Sequence, residues 1–165
     1  MMKELFELIF EGVNSSRLFC LLKDIESKSD RIFDFNFSED FFSSNIDIFS
    51  ELLIDSFLGF NGDLYFCVSM EGFNVKDGLK LPVVLLRVLK YQGEIDVGLC
   101  FYMNDFNSAG KIMLEFQKYM NEISADFGFE NFYGGLEPAS DQETRFFTNN
   151  RPGPLLYDYQ KKKIK

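Results

Sequence analysis

Apolar residues alternate along much of this chain, and the alternation is clearest between Leu81 and Asp105. Two β-rich runs there flank Gln92-Gly93, a reversal of the kind that joins antiparallel strands. The first run is almost continuously apolar from Val83 to Leu89, the pattern of a strand covered on both faces. The second sets Ile95, Val97, Leu99 and Phe101 against Asp96, Gly98, Cys100 and Tyr102. Together they predict a β-hairpin at the centre of a sheet. The alternative is a helix that begins at Pro82, since proline suits a first helical turn.

Shorter runs extend the sheet. Phe6, Leu8 and Phe10 share one face of a strand over residues 4–12, although Glu4, Glu7 and Glu11 would also share a helical face. Phe33, Phe35 and Phe37 alternate with Asp34 and Asn36, which predicts a strand with one wet face. Leu64 to Met70 follows the Asn61-Gly62 turn and completes a β-meander with the hairpin. Phe132 to Leu136 and Thr144 to Thr148 read as short strands around the loop EPASDQE.

Helical spacing takes over in three places. Leu18, Phe19, Leu21, Leu22 and Ile25 follow the capping run Asn14-Ser15-Ser16 and predict a helix over 16–26. Ser43-Ser44-Asn45 caps a second helix over 46–58, with Phe49, Leu52, Leu53 and Phe57 as its buried stripe. Ile112, Phe116, Tyr119, Met120, Ile123 and Phe127 define a third, capped by Asn107 or Ser108 and stopped at Gly128. The fold expected is α/β (α+β): one domain over 1–158, with a mostly antiparallel sheet of five to seven strands and three packed helices. Residues 159–165, which hold Lys161, Lys162, Lys163 and Lys165, form a basic, frayed tail.

Composition narrows the chemistry. The 165 residues include 21 Phe and 7 Tyr but no Trp, the material of a phenylalanine-rich core. With no histidine, Ser-His-Asp and Cys-His nucleophile systems and His-based metal centres are excluded. Cys20, Cys67 and Cys100 are too widely spaced for a zinc site and fit a reducing cytoplasm as small buried hydrophobes. The N-terminus lacks the apolar core of a signal peptide, and no stretch is long and apolar enough to span a membrane. The expectation is a cytoplasmic protein with no cofactor and no metal.

Charge adds the most informative pattern. The formal net charge is −9, and no Lys or Arg stands between Arg31 and Lys76. That interval holds Asp34, Glu39, Asp40, Asp47, Glu51, Asp55, Asp63 and Glu71. Asp47, Glu51 and Asp55 would share one face of the second helix at i, i+4 and i+8. Like charges at that spacing cost a few tenths of a kcal/mol each, so stability gives no reason for it. A solvated acidic face is one reading. The other is a landing surface for a basic protein partner, made of Asp34, Glu39, Asp40, Asp47, Glu51 and Asp55 with Phe41 or Phe42 as apolar anchors. Clustered charge of one sign steers association. Nucleic acid would be repelled by such a surface.

A second candidate lies after Gly134-Gly135. Glu137, Asp141 and Glu143 stand close in sequence, with Tyr133 before them and Arg145 after. Clustered carboxylates can do acid–base work or bind a hard cation. No EF-hand, GxGxxG or Walker pattern accompanies them, and an acidic surface loop with a structural Arg145–carboxylate pair explains them as well.

In overall character the chain resembles the bacterial immunity proteins of polymorphic-toxin and contact-dependent growth-inhibition systems. It is small, acidic and without a recognisable catalytic centre, with the basic-free interval Ile32–Val75 and the motif-dense segment FYGGLEPASDQETRFFT from Phe132 to Thr148. The resemblance implies tight binding and blockade of a cognate toxin, such as a nuclease with a basic active site. It carries over no catalytic residue. A small carboxylate-dependent enzyme or ligand-binding domain, and an adaptor subunit of a larger assembly, are the competing readings.

Overall fold

The computed structural model describes residues 3–39, 48–103 and 106–156. Along the chain run β1 (Glu4–Glu11), a 3-10 turn at Ser15–Arg17, α1 (Leu18–Ser27), β2 (Arg31–Phe37) and α2 (Glu51–Gly59). β3 (Leu64–Lys76), β4 (Leu79–Tyr91), β5 (Glu94–Met103) and α3 (Phe106–Phe127) follow. β6 (Asn131–Leu136), a second 3-10 turn at Gln142–Thr144, β7 (Arg145–Thr148) and the two-residue β8 (Arg151–Pro152) complete the order. The strands form one antiparallel sheet in the order β2-β3-β4-β5-β1-β6-β7-β8. The α+β class is as expected. The sheet has eight strands rather than five to seven, and its middle is the β5–β1 pair.

The hairpin forms as its turn residues dictate. Gln92 and Gly93 both hold positive φ, 50° and 81°, the two-residue reversal whose twist matches antiparallel strands. Residues 4–11 form a strand because they pair on both sides, Leu8 with Leu99 of β5 and with Gly134 of β6. Phe6, Leu8 and Phe10 thereby enter the core fully buried.

All three helices lie on one face of the sheet. Phe116 of α3 stacks between Phe73 of β3 and Phe101 of β5, with ring centroids 5.8 and 5.6 Å away. Phe57 of α2 meets Phe66 of β3 edge-on at 5.2 Å. α1 packs beside α2 and α3. The phenylalanines thus serve as core, with large apolar areas and no polar atom to satisfy.

Four details depart from the periodicity. α2 begins at Glu51, not at 46, because the Ser50 Oγ accepts from the Leu53 amide at 3.1 Å and caps the helix there. The buried stripe is consequently Leu53, Ile54 and Phe57 with Phe49 before it, and Leu52 is 68% exposed. In β2, Asp34 adopts φ +58° where the register with β3 shifts. That bulge sends Phe33 to the side of Ser69, away from the helices, while Phe35 and Phe37 stay on the core side with Phe66. Asn107 and Ser108 lie inside α3, which starts at Phe106, so neither is its cap. The cysteines are not buried as expected: Cys20 is exposed, and Cys67 and Cys100 are half-buried.

Candidate functional site

The described part of the acidic interval gathers at the β2 end of the sheet. Asp34 projects from the bulge on edge strand β2, and Glu39 follows that strand. α2 covers the same end, since Phe49 just before it packs edge-on against Phe35 at 5.7 Å. Glu51 and Asp55 sit one turn apart on its exposed side, with exposed Leu52 and Ile48 beside them. None of Asp34, Glu39, Glu51 and Asp55 makes a salt bridge among the described residues. The other two described carboxylates of the interval are engaged: Glu71 pairs with Arg31, and Asp63 accepts from the Gln92 amide at 2.8 Å. Asp40, Phe41, Phe42 and Asp47 lie outside the described residues, and the helical face reduces to Glu51 and Asp55.

The 133–145 carboxylates do not converge. Glu137 lines a cavity of about 270 Å³ with Tyr133, whereas Glu143 lines a different groove with Arg151 and Pro152. Asp141 is exposed at the start of the 3-10 turn. Among the described residues no group of three or more Asp, Glu or Cys is placed to hold a metal ion.

Arg145 pairs with no carboxylate there. Its Nε donates to the Ala139 carbonyl at 2.7 Å, its two terminal nitrogens to Thr148 Oγ1 at 3.0 Å and the Ser140 carbonyl at 3.2 Å. The guanidinium lies 3.9 Å over the Tyr133 ring. It clasps the loop from 137 to 144 onto the sheet, and Glu7 holds the same loop by accepting from the Ala139 amide at 2.6 Å. Arg145→Ala removes three hydrogen bonds and a stacking contact, and is expected to cost about 2 kcal/mol. Faster hydrogen exchange at Ala139 and a lower urea midpoint would register it; an unchanged midpoint would show that the loop holds itself.

Sequence reasoning missed the other face of the sheet. β4 reads as covered on both sides, yet Val83 is 52% exposed and Leu85 also faces solvent. They share this open face with Tyr65 of β3, Tyr91 of β4 and Tyr102 of β5, all exposed. Register aligns Cys67, Arg87, Gly98, Ile9 and Tyr133 in one row across β3, β4, β5, β1 and β6. The 270 Å³ cavity opens along this row, lined by Glu7, Arg87, Asp96, Tyr133 and Glu137 among others. Glu7 is 6% exposed, and among the described residues the Ala139 amide is its hydrogen-bond partner and no cation is in salt-bridge range. Burial pushes the Cys100 thiol up to about 11, and the Glu7 carboxylate adds to the effect. Burial also raises the Tyr133 phenol, with Glu11 adding and Arg145 opposing. A signal was present: a continuous apolar strand marks coverage on both faces, and the cover need not come from the same chain.

Among the described residues no helix is long and apolar enough to cross a membrane. Residues 4–152 match the model of a family described as PABL017 Cdi1I immunity protein. A chain in the crystal structure of the toxic C-terminal tip of CdiA from Pseudomonas aeruginosa in complex with immune protein is 90% identical. That match covers 93% of this chain and 99% of the other, with a TM-score of 0.91. Comparison with curated proteins gave no match.

Proposed function

This chain belongs to the PABL017 Cdi1I immunity protein family, and from that premise we propose that it neutralises the toxic C-terminal tip of a cognate CdiA by binding it. The observation that carries the reading is the 90% identity to a chain from a crystallised complex of such a tip with its immune protein. At that identity, over nearly the full length, fold and surface carry over together. The protein acts as a non-catalytic inhibitor in the cytoplasm. The absence of histidine and the dispersal of the 133–145 carboxylates favour occlusion over chemistry.

The carboxylates at the β2 end that make no salt bridge among the described residues supply the approach. Asp34, Glu39, Glu51 and Asp55, on a chain of net charge −9, set up a negative field that draws in a basic domain. A nuclease tip, whose active site must hold a phosphate backbone, fits that field. The same reasoning assigns Asp40 and Asp47 to the field and Phe41 and Phe42 to the contact.

The test has two parts. Cells producing the P. aeruginosa CdiA tip should grow when this chain is co-produced and stop when it is not. Purified chain should abolish toxin activity at a one-to-one ratio, where an enzyme would act at far below that ratio. Glu51→Lys with Asp55→Lys is expected to slow association about tenfold at low salt and to converge on the wild type as salt screens the field. A complete lack of protection by the wild-type chain would sink the assignment. A salt-independent, unchanged association rate in the double variant would remove the acidic edge from the mechanism.

A further inference from the structure

We propose that the toxin tip seats on the open face of the sheet, with a basic side chain of the toxin entering the cavity lined by Glu7, Asp96 and Glu137. The inference rests on the immunity reading and names the surface that carries the affinity. Three observations on different parts of that face support it.

The first is the apolar cover that the fold omits. β3, β4 and β5 present Tyr65, Val83, Leu85, Tyr91 and Tyr102 to solvent across three adjacent strands. Register sets them in two groups, Val83 and Leu85 with Tyr102 toward one end and Tyr65 with Tyr91 toward the other, on either side of the row through Arg87. Exposed apolar side chains gathered on one face mark an interaction site more often than an accident of folding. Tyrosine and arginine are also the residues that dominate binding energy at interface centres, and Arg87 stands amid these tyrosines on β4.

The second is charge. Three carboxylates line the cavity against a single guanidinium, that of Arg87, which makes no salt bridge among the described residues. A cationic side chain is therefore the complementary occupant. The third is Glu7. Its carboxylate is more than nine-tenths buried and lines this cavity, yet among the described residues its hydrogen-bond partner is one backbone amide. Holding a carboxylate in such a place without a counter-charge is costly, and an incoming ammonium or guanidinium offsets the cost. Gly98 adds no Cβ of its own between Arg87 and Ile9, and what lies over it is the Ile9 Cδ1, the far end of a side chain that can turn aside.

The two surfaces then divide the work. The acidic edge governs how fast the partners meet, and the open face governs how long they stay together. Cys67 lies on the open face and Cys20 on the solvent side of α1, across the sheet, so the wild-type chain carries its own probe and control. Labelling with a maleimide at pH 8.5, read by mass spectrometry, should slow at Cys67 about tenfold when the CdiA tip is present at about ten times its Kd, following occupancy. Cys20 should label at its free rate. Leu85→Glu and Tyr102→Glu, both at exposed positions, should each raise Kd about a hundredfold through faster dissociation. Glu137→Gln should weaken binding in the same way.

Failure separates cleanly. If the wild-type chain does not bind the tip, the immunity reading falls and this inference with it. If it binds while Cys67 labels at its free rate, the reading stands and the open face is not the interface. If Cys67 is protected without toxin and the chain runs at twice its mass, a second copy occupies the face and the inference is overturned. If the open-face variants fold and bind as wild type, Leu85 and Tyr102 carry no affinity and the inference is overturned.

Discussion

Gly135→Ala is expected to lower the unfolding free energy by about 3 kcal/mol or more, the upper range for overpacking. Gly135 of β6 faces Arg145 of β7 at the point where the register of that pair shifts. A Cβ there would fall on the Thr144 carbonyl and within 2.8 Å of the Arg145 Cα. Both are backbone, so no rotamer change makes room, and the two strands must part. Parting them undoes the clasp of Arg145 on Ala139 and Ser140 and the hold of Glu7 on the Ala139 amide. Gly98→Ala is the matched control. Its Cβ would meet the Ile9 Cδ1 at 3.2 Å, the far end of a side chain that can turn. Urea unfolding should show the Gly135 variant with a much lower midpoint and the Gly98 variant within about 1 kcal/mol of wild type. Equal midpoints would mean that β7 is not held as tightly as its geometry implies.

That contrast explains why the segment from Phe132 to Thr148 reads as a motif without being a catalytic one. Gly134 is small because Leu8 and Phe147 pack over it, Gly135 because a carbonyl approaches it, and Arg145 is a clasp. Its density of special residues records tight strand packing at β6 and β7, which a reader of the chain alone can equally take for a carboxylate site. Local signals served better where they were self-contained. The Gln92-Gly93 turn, the β-meander and the long amphipathic α3 were legible because turn chemistry and period settle them within one window. The bulge at Asp34 was not, because a positive φ at a non-glycine residue leaves the Phe-X-Phe alternation intact while turning Phe33 to the other face. The start of α2 was missed because Ser43-Ser44-Asn45 and Ser50 are equally good caps in sequence, and the bond from Leu53 chooses the second. The open face was hidden for a deeper reason. Val83 to Leu89 reads as covered on both sides, and periodicity cannot tell a strand buried by its own fold from one left for a partner.

Lys90→Met should be nearly as damaging as the glycine substitution, at about 3 kcal/mol. Lys90 is buried on the core side of β4, and its ammonium donates to the carbonyls of Phe57 and Leu58, each at 3.1 Å, and to that of Phe60. Phe57 and Leu58 belong to the last turn of α2, where carbonyls outnumber helical amides, and Phe60 is the residue that ends it; the Phe57 carbonyl also accepts from the Phe60 amide at 3.4 Å. The last turn of α2 contains no basic residue, so a strand distant in sequence supplies the cap and the positive charge that the helix C-terminus favours. Met keeps the length of the stem and its passage by the Phe57 ring, 5.9 Å from the ammonium, but donates nothing. Hydrogen bonds from a charged donor are worth roughly 1.5–3 kcal/mol, and the carbonyls that lose this donor add part of their desolvation, relieved where the Phe57 carbonyl keeps the Phe60 amide and where Phe60 is half-exposed. For a chain of this size the loss corresponds to roughly 6–12 °C in melting temperature. Hydrogen exchange should speed most at the α2 amides. That matters for function because α2 carries Glu51 and Asp55, and a frayed helix spreads the field that draws the partner in. A variant whose melting temperature falls while α2 exchange stays slow would place the role of Lys90 in β4 packing instead of in the helix it caps.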